Sequence, residues 1–397
     1  MATLVSRVSR VSRVSRVSRV SRVSARGASG ARRALAALGC AVAAAGLLSG
    51  CGYGSEAAMA PGGGAVVPSS GRSGPALSAS TARIGYFANL THATPLIGIQ
   101  DGQFARDLGR TRISTQIFDA GPSEIEALNS GAIDIAWVGP SPAINGYAKS
   151  HGAALKIISG ATSGGAELVV NPRTIRTAAD LRGKRIATPQ AGNTQDVALL
   201  DYLAGKGYQE DPKTGAGDVS VIRADDSITP SAYASGQIDG AWVPEPTASE
   251  LVSEGARPLI DERTLWPEGQ FASTEVVVSQ SFLAAHPDVV KAVLKASVDT
   301  NAWILANPAG AQREADAALT ALTGKGLRPG VLRAAWSEMT VTDDPLAATL
   351  TTEAQHAVTA GFITRPGLSG ICDLTLLNQL LSSEGKPTVS AAGLGAQ

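Results

Sequence analysis

"SGAIDIAWV" occupies Ser130–Val138 and "SGQIDGAWV" occupies Ser235–Val243; seven of the nine letters agree, 105 positions apart. Ser-Gly reads as a helix end, because glycine takes left-handed C-cap geometry without steric cost. The apolar run that follows, "IDIAWV" or "IDGAWV", suits a short strand covered on both faces. Pro140 and Pro244 stop these strands, since proline gives no N–H to a ladder. "EIEAL" ahead of the first copy is helical, and Ser123 with Glu126 reads as a capping box, S-x-x-E.

The surroundings of the phrase are duplicated too. "RIGYF" from Arg83 and "RIATP" from Arg185 are strand-like runs ending in turn formers. Polar loops follow, "ANLTHATP" and "QAGNTQD", and then helical stretches, "LIGIQDGQFARDL" and "VALLDYLAGKG". Two β-α-β-α-β blocks therefore stand in tandem. Alternation of strand and helix predicts parallel sheets. Ligands of such sheets sit beyond the carboxyl ends of the strands. Two blocks offer two such mouths, and facing mouths make a cleft. Asp134 and Asp239 recur at one position of the phrase, which predicts a repeated structural bond.

The first 50 of the 397 residues differ in composition from the rest. They hold nine arginines and no acid, and Ala34–Leu48, "ALAALGCAVAAAGLL", is apolar without interruption. A basic stretch before a short apolar run is the pattern of an export signal. Fifteen residues fall short of the ~20 that a spanning helix needs. Leu48-Ser49-Gly50-Cys51 resembles a bacterial lipobox, which predicts lipidation of Cys51 and a membrane anchor. Arg32-Arg33 also fits a twin-arginine signal, or an ordinary basic flank. The "VSR" triplets of residues 5–24 have a period that fits neither an amphipathic helix nor a strand; they read as a solvated extension or as untranslated upstream sequence, and no function is assigned to them.

Cleavage after residue 50 changes the charge. Of 34 basic residues, 25 remain against 34 acidic ones, a balance near −9. That excludes a basic nucleic-acid face. Of the three cysteines Cys51 and Cys372 remain. With Cys51 lipidated, Cys372 has no partner and reads as a small buried hydrophobe. Residues 52–80 are rich in Gly, Ala, Ser and Pro and read as a tether with a reach of about 30 Å.

Three stretches carry a family resemblance: "AGPSEIEALNSGAIDIAWVG", "TAADLRGKRIATPQAGNTQDVALL" and "YASGQIDGAWVPEPTAS", in that order. From about Arg83 to Leu380 the chain resembles solute-binding proteins of ABC importers, in the nitrate/taurine/aliphatic-sulfonate group. The resemblance implies an α/β, two-lobed type II periplasmic-binding-protein fold. Each lobe would be a mostly parallel sheet flanked by helices, joined by a hinge. It places lobe one at 81–171 plus 275–397 and lobe two at 172–274, with "AELVVN" and "STEVVVS" as the crossings. It implies a monomer on the extracytoplasmic face that delivers a small sulfonate-class anion to a membrane permease. Nitrate, bicarbonate or a thiamine-precursor heterocycle are alternative ligands, and a sensor domain an alternative role. No cofactor is implied. The related pyrimidine-synthesising enzymes carry a "CCCFC" stretch that this chain lacks.

Polar residues in loops after strands are the candidates for ligand contact. In lobe one these are Asn89, Thr91 and His92, then Gly121, Pro122 and Ser123, then Ser141, Thr162 and Ser163. In lobe two they are Gln190, Asn193, Thr194, Gln195, Trp242 and Glu245. Helix N-termini present free N–H groups and about half a positive charge, so an anion can be held without arginine. Ser123 and Thr194 can equally be N-caps. Trp137 and Trp242 are either core or pocket wall. Glu245 can pair with a ligand amine, cap a helix, or meet the permease. His92 has no nucleophile in a motif near it. After Pro287, residues Val289, Val290, Val293, Leu294 and Ser297 form one helical face directed at the core. The four histidines are scattered, and no HExxH, CxxC, Walker A or strand-linked GxGxxG is present.

Overall fold

Short apolar runs between turn formers become twelve strands among the described residues. These are β1 Ala65–Val66, β2 Thr81–Phe87, β3 Arg112–Phe118, β4 Ile135–Val138, β5 Leu155–Gly164 and β6 Ala166–Val170. They continue with β7 Arg185–Thr188, β8 Ser220–Arg223, β9 Gly240–Pro244, β10 Arg257–Asp261, β11 Ala272–Ser279 and β12 Met339–Val341. The structure is a computed structural model, and it describes residues 65–66, 74, 76–365 and 367–395. The expected export signal, Cys51 and most of the expected tether lie outside the described residues.

The strands form a seven-stranded sheet, β1-β3-β2-β4-β11-β5-β12, and a five-stranded sheet, β10-β6-β9-β7-β8. The first block builds β3-β2-β4, the second β8-β7-β9, and within each the pairing is parallel. The registers repeat: Ile84 faces Ile135 as Ile186 faces Gly240. Each block is then extended by an antiparallel strand from a crossing segment, β11 beside β4 and β6 beside β9. Among the named strands, parallel pairing is therefore confined to the duplicated blocks, and both sheets are mixed.

The chain passes from β5 in the first sheet to β6 in the second at Gly164 and Gly165, with φ of 77° and 74°. Those left-handed angles suit glycine. The return runs through the short turns Glu262–Leu265 and Pro267–Gly269 and enters the first sheet at β11. So "AELVVN" and "STEVVVS" each lie within one sheet, and the crossings fall just outside them.

The duplicated phrase does what its residues dictate. Helix Gly121–Ser130 ends on Gly131 at φ 73°, and helix Thr229–Ala234 is followed by Gly236 at φ 71°. The capping box is a correction. The first helix starts at Gly121, with Ala120 as N-cap, and the Ser123 hydroxyl donates to the Ala120 carbonyl at 2.8 Å. Pro122 presets helical φ, so the helix begins before Ser123 can cap it. Gly102, at φ 82°, splits the following helical stretch into Ala93–Gln100 and Gln103–Asp107. Helix Pro287–Ala306 buries Val289, Val290, Val293, Leu294 and Ser297 as its spacing requires. Trp137, Trp242 and Cys372 are fully buried, and burial pushes the Cys372 thiol up to about 12. No helix among the described residues is long and apolar enough to cross a membrane.

Candidate functional site

The carboxyl ends of all six parallel strands meet around one small chamber of about 10 Å³. Phe87, Asn89, Thr91 and His92 follow β2, Asp119 follows β3, and Gly139 follows β4. Asn193, Thr194 and Gln195 follow β7, Asp226 follows β8, and Pro244 ends β9. Ser273 of β11 completes the wall. A chamber this size accommodates about one water molecule.

The two halves touch across it. The Gly121 N–H donates to Asn193 Oδ1 at 3.2 Å, and the Leu90 N–H donates to the Glu245 carbonyl at 3.2 Å. Gly139 lies so near Thr194 that a Cβ on it would stand 2.3 Å from the threonine Oγ1. This is a closed cleft.

Its polar groups divide into satisfied and free. Asn193 Nδ2 donates to Gln195 Oε1 at 2.9 Å, and Thr91 Oγ1 donates to Asn89 Oδ1 at 2.9 Å. Thr194 is 2% exposed and its Oγ1 has no partner. Helix Thr194–Gly205 begins beside it with no side-chain cap, so its first N–H groups remain available. Asp196 in that first turn is turned away, accepting from Thr188 Oγ1 at 2.7 Å, the Gly192 N–H at 2.9 Å and Arg223 Nε at 2.9 Å. His92 accepts the Phe87 N–H on Nδ1 at 3.2 Å and stacks on the Phe87 ring at 4.3 Å. Burial lowers its pKa to about 3, so the ring is neutral and carries its proton on Nε2, as a donor.

Six of the expected contacts thus line the chamber: Asn89, Thr91, His92, Asn193, Thr194 and Gln195. The others stand elsewhere. Gly121 bonds to Asn193 from outside the lining, and Pro122 lines a separate groove with Glu126 and Phe362. Ser123 serves its own helix. Ser141 is fully buried and donates to Glu353 Oε2 at 3.3 Å, behind the site. Thr162 Oγ1 supports the loop by donating to the Thr91 carbonyl at 2.7 Å. Ser163 pairs within the sheet with Ala272 and Thr340, and Gln190 is exposed. Trp242 is core: its Nε1 donates to Glu262 at 2.7 Å and its ring meets Tyr202 edge-on. Glu245 is a cap. Its carboxylate accepts from the Ser249 N–H at 3.1 Å and the Ser249 hydroxyl at 2.9 Å, at the start of helix Thr247–Ser253.

A second cavity of about 350 Å³ adjoins the chamber and shares Phe87, Asn89, Asp119 and Asp226 with it. Phe118, Leu319, Leu327, Glu250 and Lys325 also line it. Burial, reinforced by Asp225 and Asp119, pushes Asp226 up to about 8; burial and then Asp225 raise Asp119.

The sequence pattern of the NMT1-like family matches residues 76–320, more than half of the chain. The chain belongs to the NMT1-like family. This NMT1-like protein is 32% identical to the taurine-binding periplasmic protein of Escherichia coli (strain K12) over 209 residues, 52% of this chain and 62% of that protein. It thus spans less than two thirds of that relative. It is also similar to the alkanesulfonate-binding protein SsuA from Xanthomonas axonopodis pv. citri bound to MOPS. That likeness has a TM-score of 0.59 and 25% identity, and covers 70% of this chain and 91% of the other. The periplasmic nitrate-binding protein NrtA from Synechocystis PCC 6803 superposes with a TM-score of 0.64 at 15% identity, over 78% of this chain and 90% of that one. At that identity it shows the fold alone. The mixed two-sheet α/β architecture is that of type II periplasmic binding proteins.

Sequence reasoning about this NMT1-like protein missed Asp119, Asp226, Gly139 and Ser273. A signal for the two acids was present: Asp119 directly follows β3 in "FDAG", and Asp226 stands three residues past the end of β8 in "RADDS". One metal-like trio, Glu167, Asp261 and Glu338, is found among the described residues. Arg263 already pairs with Asp261 and Glu338, so the charge there is answered by an arginine.

Proposed function

We propose that this NMT1-like protein is the extracytoplasmic substrate-binding component of an ABC importer, capturing a small aliphatic sulfonate and delivering it to the permease. The carrying observation is the Thr194 hydroxyl, buried and unpartnered at an uncapped helix start, facing the other lobe across Gly139. A helix start of this kind favours an anion by about half a unit charge plus its free N–H groups. The His92 Nε2–H is a neutral donor on the opposite wall. The sulfonate-binding names of the relatives point the same way. The closed chamber is too small for a sulfonate, so capture requires the lobes to part about Gly164–Gly165 and residues 262–271. The ligand then shifts an open–closed balance by its preference for one state. Cys51 would anchor the protein by lipid, with the tether letting it reach the permease; Cys51→Ser would release it into the medium.

A thermal-shift screen with taurine, butanesulfonate, nitrate, bicarbonate and a pyrimidine tests the reading. Ligand at 100 times Kd stabilises by about 2.7 kcal/mol. Sulfonates are expected to raise the melting temperature; a rise with the pyrimidine alone would sink the proposal.

A further inference from the structure

We propose that the arm Gly324–Arg328 is a gate: it closes the cavity outside the chamber against helix Thr247–Ser253, and the two halves of the cleft part when it lets that helix go.

The arm links helix Pro308–Thr323 to helix Pro329–Ser337. The first of these packs on helices Ala93–Gln100 and Pro287–Ala306, and the chain beyond the second enters β12 of the seven-stranded sheet. Helix Thr247–Ser253 belongs to the other half, packed on β6 and β9 of the five-stranded sheet. The arm reaches across to it twice. Lys325 Nζ pairs with Glu250 Oε1 at 3.0 Å, and Arg328 donates to the Ser253 hydroxyl. Lys325 and Leu327 line the outer cavity together with Thr247 and Glu250, so the Lys325–Glu250 pair stands in its wall.

The bonds that hold the arm are of two kinds. Toward its own helix they use the main chain: the Leu327 N–H donates to Asp316 Oδ1 at 2.6 Å, and the Lys325 N–H to Thr323 Oγ1 at 3.2 Å. Toward helix Thr247–Ser253 both are side-chain bonds, and Lys325, Arg328 and Ser253 are exposed. Exposed pairs of this kind contribute little to stability. The arm therefore stays with the first half and releases the second readily. The far end of helix Pro329–Ser337 is the pivot. Glu338 pairs there with Arg263 of the return crossing, and its carbonyl accepts the Gly165 N–H at 2.8 Å. Nine residues, about 14 Å of helix, separate this fastening at the crossings from the one at the outer cavity.

Two amides report opening, because each is bonded from one half to the other: the Leu90 N–H to the Glu245 carbonyl and the Gly121 N–H to Asn193 Oδ1, both at 3.2 Å. Their hydrogen exchange, measured without ligand, is compared in the parent, in Lys325→Glu, and in the swapped pair Lys325→Glu with Glu250→Lys. Facing like charges should raise exchange at both amides about three- to tenfold, and the swap should return it to the parent rate. Arg328→Ala, which removes the second fastening, should act in the same direction as Lys325→Glu. Dissociation of butane-1-sulfonate, an arm of the test that rests on the sulfonate reading above, should quicken in the same order. Unchanged exchange in Lys325→Glu and Arg328→Ala, or equally fast exchange in the swapped pair, overturns the gate whatever the ligand. Exchange that follows the charges while none of the proteins binds butane-1-sulfonate upholds the gate and overturns the sulfonate reading.

Discussion

Asp134 receives both the backbone N–H and the guanidinium Nε of Arg83, each at 2.9 Å. The second copy of the phrase repeats the bond: Asp239 receives the Arg185 N–H at 2.9 Å and its Nε at 3.1 Å. Each arginine also donates to the carbonyl of the helix-ending glycine, Gly131 or Gly236. The phrase is thus a latch that fixes the third strand of each block to the first. The Asp134 side chain is 4% exposed and that of Asp239 20%. Asp134→Ala should therefore cost more, about 1–3 kcal/mol, because the bonds it removes are the less exposed of the two sets. The two losses should add, since the latches lie in separate sheets. Urea midpoints of the single and double variants measure this; negligible losses would mean that the phrase recurs for some other reason.

Gly139→Ala should hold the lobes apart. Its backbone, at φ −67°, accepts alanine without strain, so folding should survive. The added Cβ would meet Thr194 Oγ1 at 2.3 Å, well inside van der Waals contact. A larger radius of gyration in solution scattering and weakened sulfonate binding are expected. Adding Thr194→Gly should restore the compact form. A Gly139→Ala protein with unchanged scattering would show that closure does not bring these residues together.

Much of this fold was readable because its determinants are local. Gly131, Pro140 and the paired aspartates act within a few residues of where they stand. The loops after β2 and β7 reach the chamber because strand ends position them. The antiparallel edges were not readable, since β11 and β5 meet across more than a hundred residues of chain. Side-chain direction was the other loss. Glu245 looked as free to enter the cleft as to cap a helix, and only the turn at Pro246 aims it at Ser249. Ser123 was misread because Gly121-Pro122 starts the helix earlier than its polar residue suggests.

Thr194→Val separates ligand contact from helix capping. The hydroxyl caps nothing and has no partner, so its removal should leave stability unchanged or slightly higher. Sulfonate affinity should drop about tenfold, the worth of one hydrogen bond to a charged group. Ser123→Ala should leave affinity unchanged, because that hydroxyl serves the Ala120 carbonyl. Calorimetry on both variants decides it. Equal losses would move the site toward the first-lobe helix, and no loss at Thr194 would remove the helix start from the binding account.

Stability should decline as pH rises from about 5 to 8, and the carboxylates behind the site are the reason. Burial pushes Glu262 and Glu245 up to about 7 and Glu167 up to about 8. An unfolded glutamate titrates near ~4.3. The fold therefore favours the protonated form, and that contribution is complete below the unfolded value. It is lost as pH rises through the folded values, with a slope of up to ~1.4 kcal/mol per pH unit for each group. His92 acts with the opposite sign. Its folded pKa of about 3 favours the neutral ring, so its contribution fades as pH falls below the unfolded value of ~6.5. Together these place the maximum on the mildly acid side of neutrality. Glu262→Gln keeps an acceptor for the Trp242 Nε1–H, bonded at 2.7 Å, and removes one ionisation. Its melting temperature should match the parent near pH 5 and exceed it at pH 8. A parent protein that melts higher at pH 8 than at pH 5 would mean that these carboxylates are already charged in the folded state.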